Sequence, residues 1–144
     1  MTVEQTLMLI KPDAVKRRAV GPIIARIEAE GFIIEGLRML CLTREQAGAF
    51  YEEHRERPFF PDLVEFMASG AIVALSLRRD DAVNVLRALI GSTDSRKAQK
   101  GTIRAEFGTD NQMNAVHASD SPSSAARETA FFFSALDTIR AAGG

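Results

Sequence analysis

Glycine and proline cut this chain into short pieces: Lys11-Pro12-Asp13, Gly21-Pro22, Gly31, Pro58 and Pro61, Ser69-Gly70, Gly91 and Ser121-Pro122 recur along its 144 residues. Proline forces extended geometry on its predecessor, and glycine tolerates the left-handed backbone that ends helices, so each is a boundary. A coiled coil cannot run through such punctuation. The longest nearly apolar stretch, Ala71 to Leu77, falls far short of the roughly 20 residues that span a bilayer, so no membrane is expected. What remains is an alternation of short strands and helices with no repeat.

Between the breaks the periodicities are plain. Thr6 to Ile10 reads as a buried strand, followed by a loop at Lys11-Pro12-Asp13. Gly21-Pro22 opens a helix whose core face is Ile23, Ile24 and Ile27, and Gly31 stops it. Phe32 to Leu42 is strand-like. Thr43 with Gln46 forms a capping box for a helix reaching about Arg55. Pro58 and Pro61 bracket a turn, and a short helix runs to Met67. Ala71 to Leu77 is a strand, and Ala82, Val83, Leu86, Leu89 and Ile90 have helical spacing up to Gly91. Ser92 to Gln112 shows no period and reads as a functional loop. Asn114 to Ser119 is a short strand, and Ser121 with Pro122 starts a last helix that takes in Phe131 to Phe133. Ala141 to Gly144 looks like a frayed end. This order gives an α+β fold of one domain over residues 1–144. It is a ferredoxin-like split β-α-β arrangement, a four-stranded antiparallel sheet with helices packed on one face, the second helix being an excursion.

Composition bounds the function. Eighteen Lys+Arg against 19 Asp+Glu leave a net charge of −1 and a pI near 6.1, which argues against a dedicated nucleic-acid binder. Cys41 is the single cysteine, so no intrachain disulfide forms. With no signal peptide, a reducing cytoplasm is the expected compartment. One cysteine and two histidines, His54 and His117, give no zinc-ligand spacing. Neither GxxxxGK[ST] nor GxGxxG occurs.

His117 lies between the irregular stretch and the well-capped last helix. It can be a half-buried strand histidine satisfied by a neighbour. It can also be a nucleophile, because Glu128 lies two turns into that helix, roughly 9 Å along its axis. If the strand turns back into the helix, the carboxylate meets one ring nitrogen and leaves the other free. For Glu128 the alternative is an exposed helix charge. Lys11 after the first strand, Arg87 in the last turn of its helix and Arg104 after Gly101-Thr102 are cations at breaks. Converging, with Thr93 as a hydroxyl donor, they would neutralise a polyphosphate; singly, each is a solvated surface group, as Arg96, Lys97 and Lys100 are read. Phe59 and Phe60 between prolines fit a core, or one of them stacks on a flat ligand.

These residues together resemble the nucleoside diphosphate kinase family. The matching stretches are Lys11-Pro12-Asp13-Ala14-Val15, Gly21 to Phe32, and Phe50-Tyr51-x-x-His54-x-x-x-Pro58-Phe59-Phe60. They continue through Phe66-Met67-x-Ser69-Gly70, Gly101-Thr102-Ile103-Arg104 and Asn114-x-x-His117-x-Ser119-Asp120-Ser121, and close on Glu128 with Phe131 to Phe133. The resemblance covers about residues 4–135. It implies ping-pong transfer of the γ-phosphoryl of a nucleoside triphosphate, typically ATP, to a nucleoside diphosphate of any base. His117 would be the nucleophile and phosphohistidine carrier, and Glu128 its orienting partner. Lys11, Tyr51, Arg87, Thr93, Arg104 and Asn114 would line the phosphate and sugar site, and Phe59 would stack on the base near Leu63. His54 would sit behind the lining residues or beside the phosphates. Mg²⁺ would be held mainly by nucleotide phosphates and water, with no metal-ligating residue of the protein. A homo-oligomer, hexamer or tetramer, is implied too, with no specific nucleic acid.

The chain departs from the family pattern at Ala118, where glycine is usual, at Ala71 and Ser95, where proline is usual, and at Asn111, where an apolar residue usually faces the base. None of these removes a charged or nucleophilic group. A nucleotide-sensing or nucleic-acid-binding module on the same fold would lack turnover, and a purely structural oligomer would not bind nucleotide at all.

Overall fold

The computed structural model describes residues 3–139, so the reading of Ala141 to Gly144 lies outside the described residues. The sheet has four strands, β1 (Val3–Ile10), β2 (Ile33–Cys41), β3 (Ala71–Asp80) and β4 (Val116–Ala118), in the order β2-β3-β1-β4. Every neighbouring pair is antiparallel. β3 lies between β1 and β2, which is what splits the first β-α-β unit.

The helices are α1 (Pro12–Lys16), α2 (Val20–Ala29), α3 (Arg44–Phe50), α4 (Phe60–Met67), α5 (Ala82–Ile90), α6 (Ile103–Phe107) and α7 (Pro122–Phe132). They cover both faces of the sheet, not one as expected. Met8 and Ile10 pack with Leu75 and Leu77 against Ile23 and Ile27 of α2 and Leu86 and Ile90 of α5. Leu7 and Leu9 pack with Ile72 and Ala74 against Phe50, Met67 and Phe132 from α3, α4 and α7. A strand buried on both sides has no reason to alternate, and the run Thr6–Ile10 is buried at every position.

Several boundaries move. The Lys11-Pro12-Asp13 loop opens directly into α1, with Pro12 in the first turn, where a missing N–H costs nothing. The Thr43–Gln46 capping box forms, worth about 1 kcal/mol. Its helix ends at Phe50, however, and a single 3-10 turn, Glu52–His54, replaces the last expected turn. Pro61 stands inside the first turn of α4 and not beyond a turn. β1 and β3 are both longer than read, and β4 is shorter. The irregular stretch holds a 3-10 turn, Ser95–Lys97, and α6, capped by the Thr102 hydroxyl accepting the Ala105 N–H. Phe133 falls outside α7 as its C-cap.

Two local devices fix where α6 and α7 begin. Gly91 ends α5 at φ +90°, where a Cβ would sit 2.6 Å from the Thr102 hydroxyl, so only glycine lets α5 and the start of α6 meet there. At the start of α7, the Ser121 hydroxyl accepts the Ser124 N–H and Ser124 returns the bond to the Ser121 N–H. That tight start folds α7 back along β4.

Candidate active site

β4 pairs with the end of β1, Leu9 opposite His117 and Ile10 opposite Val116, so His117 and the residue after β1, Lys11, come to one place. His117, Glu128, Lys11, Tyr51, His54, Phe59, Leu63, Arg87, Thr93, Arg104 and Asn114 all line one cavity of about 480 Å³. Glu53, Arg57, Gln112 and Asp120, which the sequence reading gave no role, line it as well, together with Asn111 and Ala118.

The folded-back α7 brings Glu128 Oε1 to 2.7 Å from His117 Nε2, and the imidazole is four-fifths buried. Burial pushes the Glu128 carboxyl up, but the bonds from His117 and Ser119 and the charge of Arg127 outweigh it and hold it below its ordinary value. An ionised carboxylate only accepts, so Nε2 carries the proton and donates, and Nδ1 keeps its lone pair. Burial likewise holds the imidazole below its ordinary value, against the pull of Glu128, which keeps that lone pair available. The rings of Phe50 and Tyr51 stand edge-on to the imidazole, with centroids 5.3 and 5.9 Å away. They fix its plane.

The cations converge. Lys11 is 6% exposed and donates from Nζ to Asn114 Oδ1 at 2.8 Å. Burial, and then Arg104, lower its pKa to about 7, while Asp13 pulls it up. Arg104 is 5% exposed and is tied through its two terminal nitrogens to the carbonyls of Gly91 and Val116. Burial, followed by Arg87, brings it down to about 10. Arg104 Nε and the Tyr51 hydroxyl are buried polar atoms with no hydrogen-bond partner among the described residues. Burial pushes the Tyr51 phenol well up, so it stays a donor. Buried cations crowded on one another, with idle donors beside them, are suited to a polyanion. At the mouth, Phe59 is 46% exposed, with its ring 5.5 Å from that of His54.

Three further residues act on this arrangement. Ser119 donates to Glu128 Oε1 at 2.9 Å. It lies just beyond the end of β4, two residues after His117, and its place in the expected Asn114 to Ser119 strand was the available signal. Arg127 reaches Glu128 Oε2 at 3.4 Å and Glu53 at 3.8 Å. Asp13 accepts the Ala115 N–H at 3.0 Å. Nothing in the local sequence marks the last two. Ala118 is not among the residues of positive φ, so the usual glycine there is not needed for its conformational freedom in this chain.

Comparison with known proteins gives a family and a fold. The family model described as nucleoside diphosphate kinase matches residues 4–138. The nucleoside diphosphate kinase of Aquifex aeolicus (strain VF5) is 52% identical over 142 residues, spanning 96% of this chain and all of that one. That of Staphylothermus marinus is 52% identical over 133 residues, covering 92% of this chain and 94% of that one. A crystal structure of the Aquifex aeolicus enzyme superposes with a TM-score of 0.94. The halophilic enzyme of Halobacterium salinarum, solved in complex with CDP, does so at 0.93 with 35% identity, over 96% of this chain and 93% of that one.

Proposed function

The chain belongs to the nucleoside diphosphate kinase family, an enzyme of nucleotide metabolism, and from that premise we propose that it transfers phosphoryl groups through a phosphohistidine at His117. The observation that carries this reading is the Glu128-bound Nε2, which leaves Nδ1 with its lone pair in a cavity that the buried cations Lys11 and Arg104 also line.

In the first half-reaction Nδ1 attacks the γ-phosphorus of a nucleoside triphosphate. The N–P bond forms as the bond from phosphorus to the β,γ-bridging oxygen breaks, and the nucleoside diphosphate leaves. In the second, a terminal oxygen of a different nucleoside diphosphate attacks the same phosphorus, the N–P bond breaks, and Nδ1 recovers its electron pair. Little covalent help is needed beyond positioning and charge neutralisation. Lys11, Arg87 and Arg104 neutralise phosphate oxygens, and the Tyr51 and Thr93 hydroxyls donate to them. Asn114 with Lys11 takes the sugar hydroxyls. Phe59, with Leu63 beside it, stacks on the base without reading its edge, so all bases turn over. Asn111, polar where the resemblance expects an apolar residue, lines the same cavity and would add a base contact. The CDP of the Halobacterium salinarum complex is a ligand of the class this cavity would hold.

Mg²⁺, when bound, supplies neutralisation of the triphosphate tail. The donor set suits an ion held by phosphates and water: Glu128 is engaged by His117 and Ser119, Glu53 by Arg127, and Asp120 by Ser124. Residues 1–144 act as one kinase domain, working in the cytoplasm. Among the described residues no helix is long and apolar enough to cross a membrane. A homo-oligomer, hexamer or tetramer, is supported by the exposed Ile33, Leu37 and Met39 of the edge strand β2, and light scattering decides its size.

The test is incubation with a γ-labelled nucleoside triphosphate and no acceptor. An acid-labile, base-stable label on His117, released by any added nucleoside diphosphate, is the expected result. A stable label elsewhere, or none, refutes the mechanism.

A further inference from the structure

Ala115 stands between the loop that carries Asn114 and the strand that carries His117. It is fully buried, and its φ of 74° lies in the left-handed region that a residue with a Cβ avoids. Both of its backbone polar groups are taken by the turn at the end of β1. The Lys11 N–H donates to its carbonyl at 2.8 Å, and its own N–H donates to Asp13 Oδ2 at 3.0 Å. On one side of this pinned peptide, the Asn114 side chain accepts from Lys11 Nζ and donates to the carbonyls of Thr93 and Asn111. On the other, Val116 and His117 enter the ladder with β1.

We propose that Asp13 is a positioning residue for the phosphoryl transfer: its buried carboxylate straps the left-handed Ala115 peptide to the Lys11 turn, and so sets Lys11 and Asn114 at a fixed offset from His117. This rests on the reading of His117 as the nucleophile. Asp13 is only 9% exposed, and its second oxygen, Oδ1, is buried with no hydrogen-bond partner among the described residues. A half-satisfied buried carboxylate beside a strained peptide is costly twice over. Such costs persist where the surrounding structure holds a working geometry. Without the strap the peptide relaxes to negative φ. That rotation either swings Asn114 off Lys11 or pulls His117 out of register with Leu9. The carboxylate has a second effect through its charge. The charged and titratable groups bearing on Lys11 are Arg104 from α6, His117 from β4 and Asp13 from α1, and of these Asp13 is the one that favours the ammonium.

The two effects separate by mutation. Asp13→Ala removes strap and charge, and kcat is expected to fall about 10²-fold, as for a misplacement of about 1 Å, with KM changed less than about threefold. Adding Ala115→Gly, which takes positive φ without help, restores kcat about tenfold or more. Asp13→Asn keeps an oxygen for the Ala115 N–H but drops the charge. It loses less kcat than Asp13→Ala, and the alkaline limb of its kcat/KM profile moves to lower pH, a shift that glycine at 115 does not repair. If Asp13→Ala does not fold, the Asn variant and the double variant carry the test. The strap alone is overturned if the wild-type enzyme labels on His117 and Asp13→Ala turns over within about twofold of it. It is equally overturned if glycine rescues nothing and the Asn profile does not move, since a merely structural role predicts both. A wild-type enzyme that does not label on His117 overturns the phosphohistidine reading, and the positioning role goes with it.

Discussion

The floor and the mouth of the cavity are built on opposite principles. On the floor, His117, Glu128, Lys11, Asn114 and Arg104 are wholly or largely buried and each is held by at least one hydrogen bond. At the mouth, Phe59, Arg57 and Asn111 are exposed. On the proposed reading the floor meets the phosphates and sugar that every nucleotide shares, and it can be rigid. On the same reading the mouth meets the base, which varies, and exposed side chains can adapt to the variation. Preorganisation is placed where the chemistry is constant.

That contrast is open to direct attack. His117→Ala, at the floor, is expected to cost at least about 10³-fold in kcat, since it deletes the attacking nitrogen, while nucleotide binding by calorimetry survives. Turnover above a trace would place the chemistry elsewhere. Glu128→Gln is expected to lower kcat about 10²-fold, because it loosens the ring and its tautomer without removing the reacting atom. Equal losses in the two variants would make Glu128 a structural keystone of the floor. Phe59→Ala, at the mouth, is expected to raise KM about tenfold with kcat nearly unchanged, in similar measure for purine and pyrimidine nucleotides. A base-dependent effect would mean that the mouth reads sequence, and the contrast would collapse. The smallest effect is a proton count. Lys11 has a pKa of about 7 when no anion is present, so at pH 8 most of it is neutral. A bound polyphosphate, already fully ionised at that pH, raises the pKa and draws in about one proton per site, against far less at pH 6. Calorimetry in two buffers of different ionisation heat measures it, and no uptake at pH 8 would show that Lys11 is not desolvated as the floor requires.

How much of this was legible in the sequence divides along the same line. His117, Glu128, Lys11 and Arg104 stand out from the chain by their places at strand ends, breaks and the capped last helix, whereas Asn114 is marked only by the family resemblance. The single β4 strand and the Ser121 cap were enough to bring Glu128 back on His117. Helices on both faces were legible in principle, since Leu7-Met8-Leu9-Ile10 never alternates, and a half-exposed strand would. The two shortest helices were not. α1 and α6 are five residues each, too short for periodicity, although Thr102 offered the cap of the second. The strap between Asp13 and Ala115 joins residues 102 apart in the chain. No local pattern encodes a strained alanine, which only the folded backbone reveals.

Lys11 and Arg104 have a consequence for anyone who would engineer this chain. Each is buried, and each lies where another cation lowers its affinity for its own proton. Selection for heat resistance alone would therefore favour neutral replacements at these positions, because the empty protein gains when such repulsion is relieved. A folding screen would score those replacements as improvements, and only a turnover screen would see the loss. Thermal robustness and catalytic competence are in direct conflict at these two side chains, so a stabilisation campaign on this enzyme should hold both positions fixed from the start.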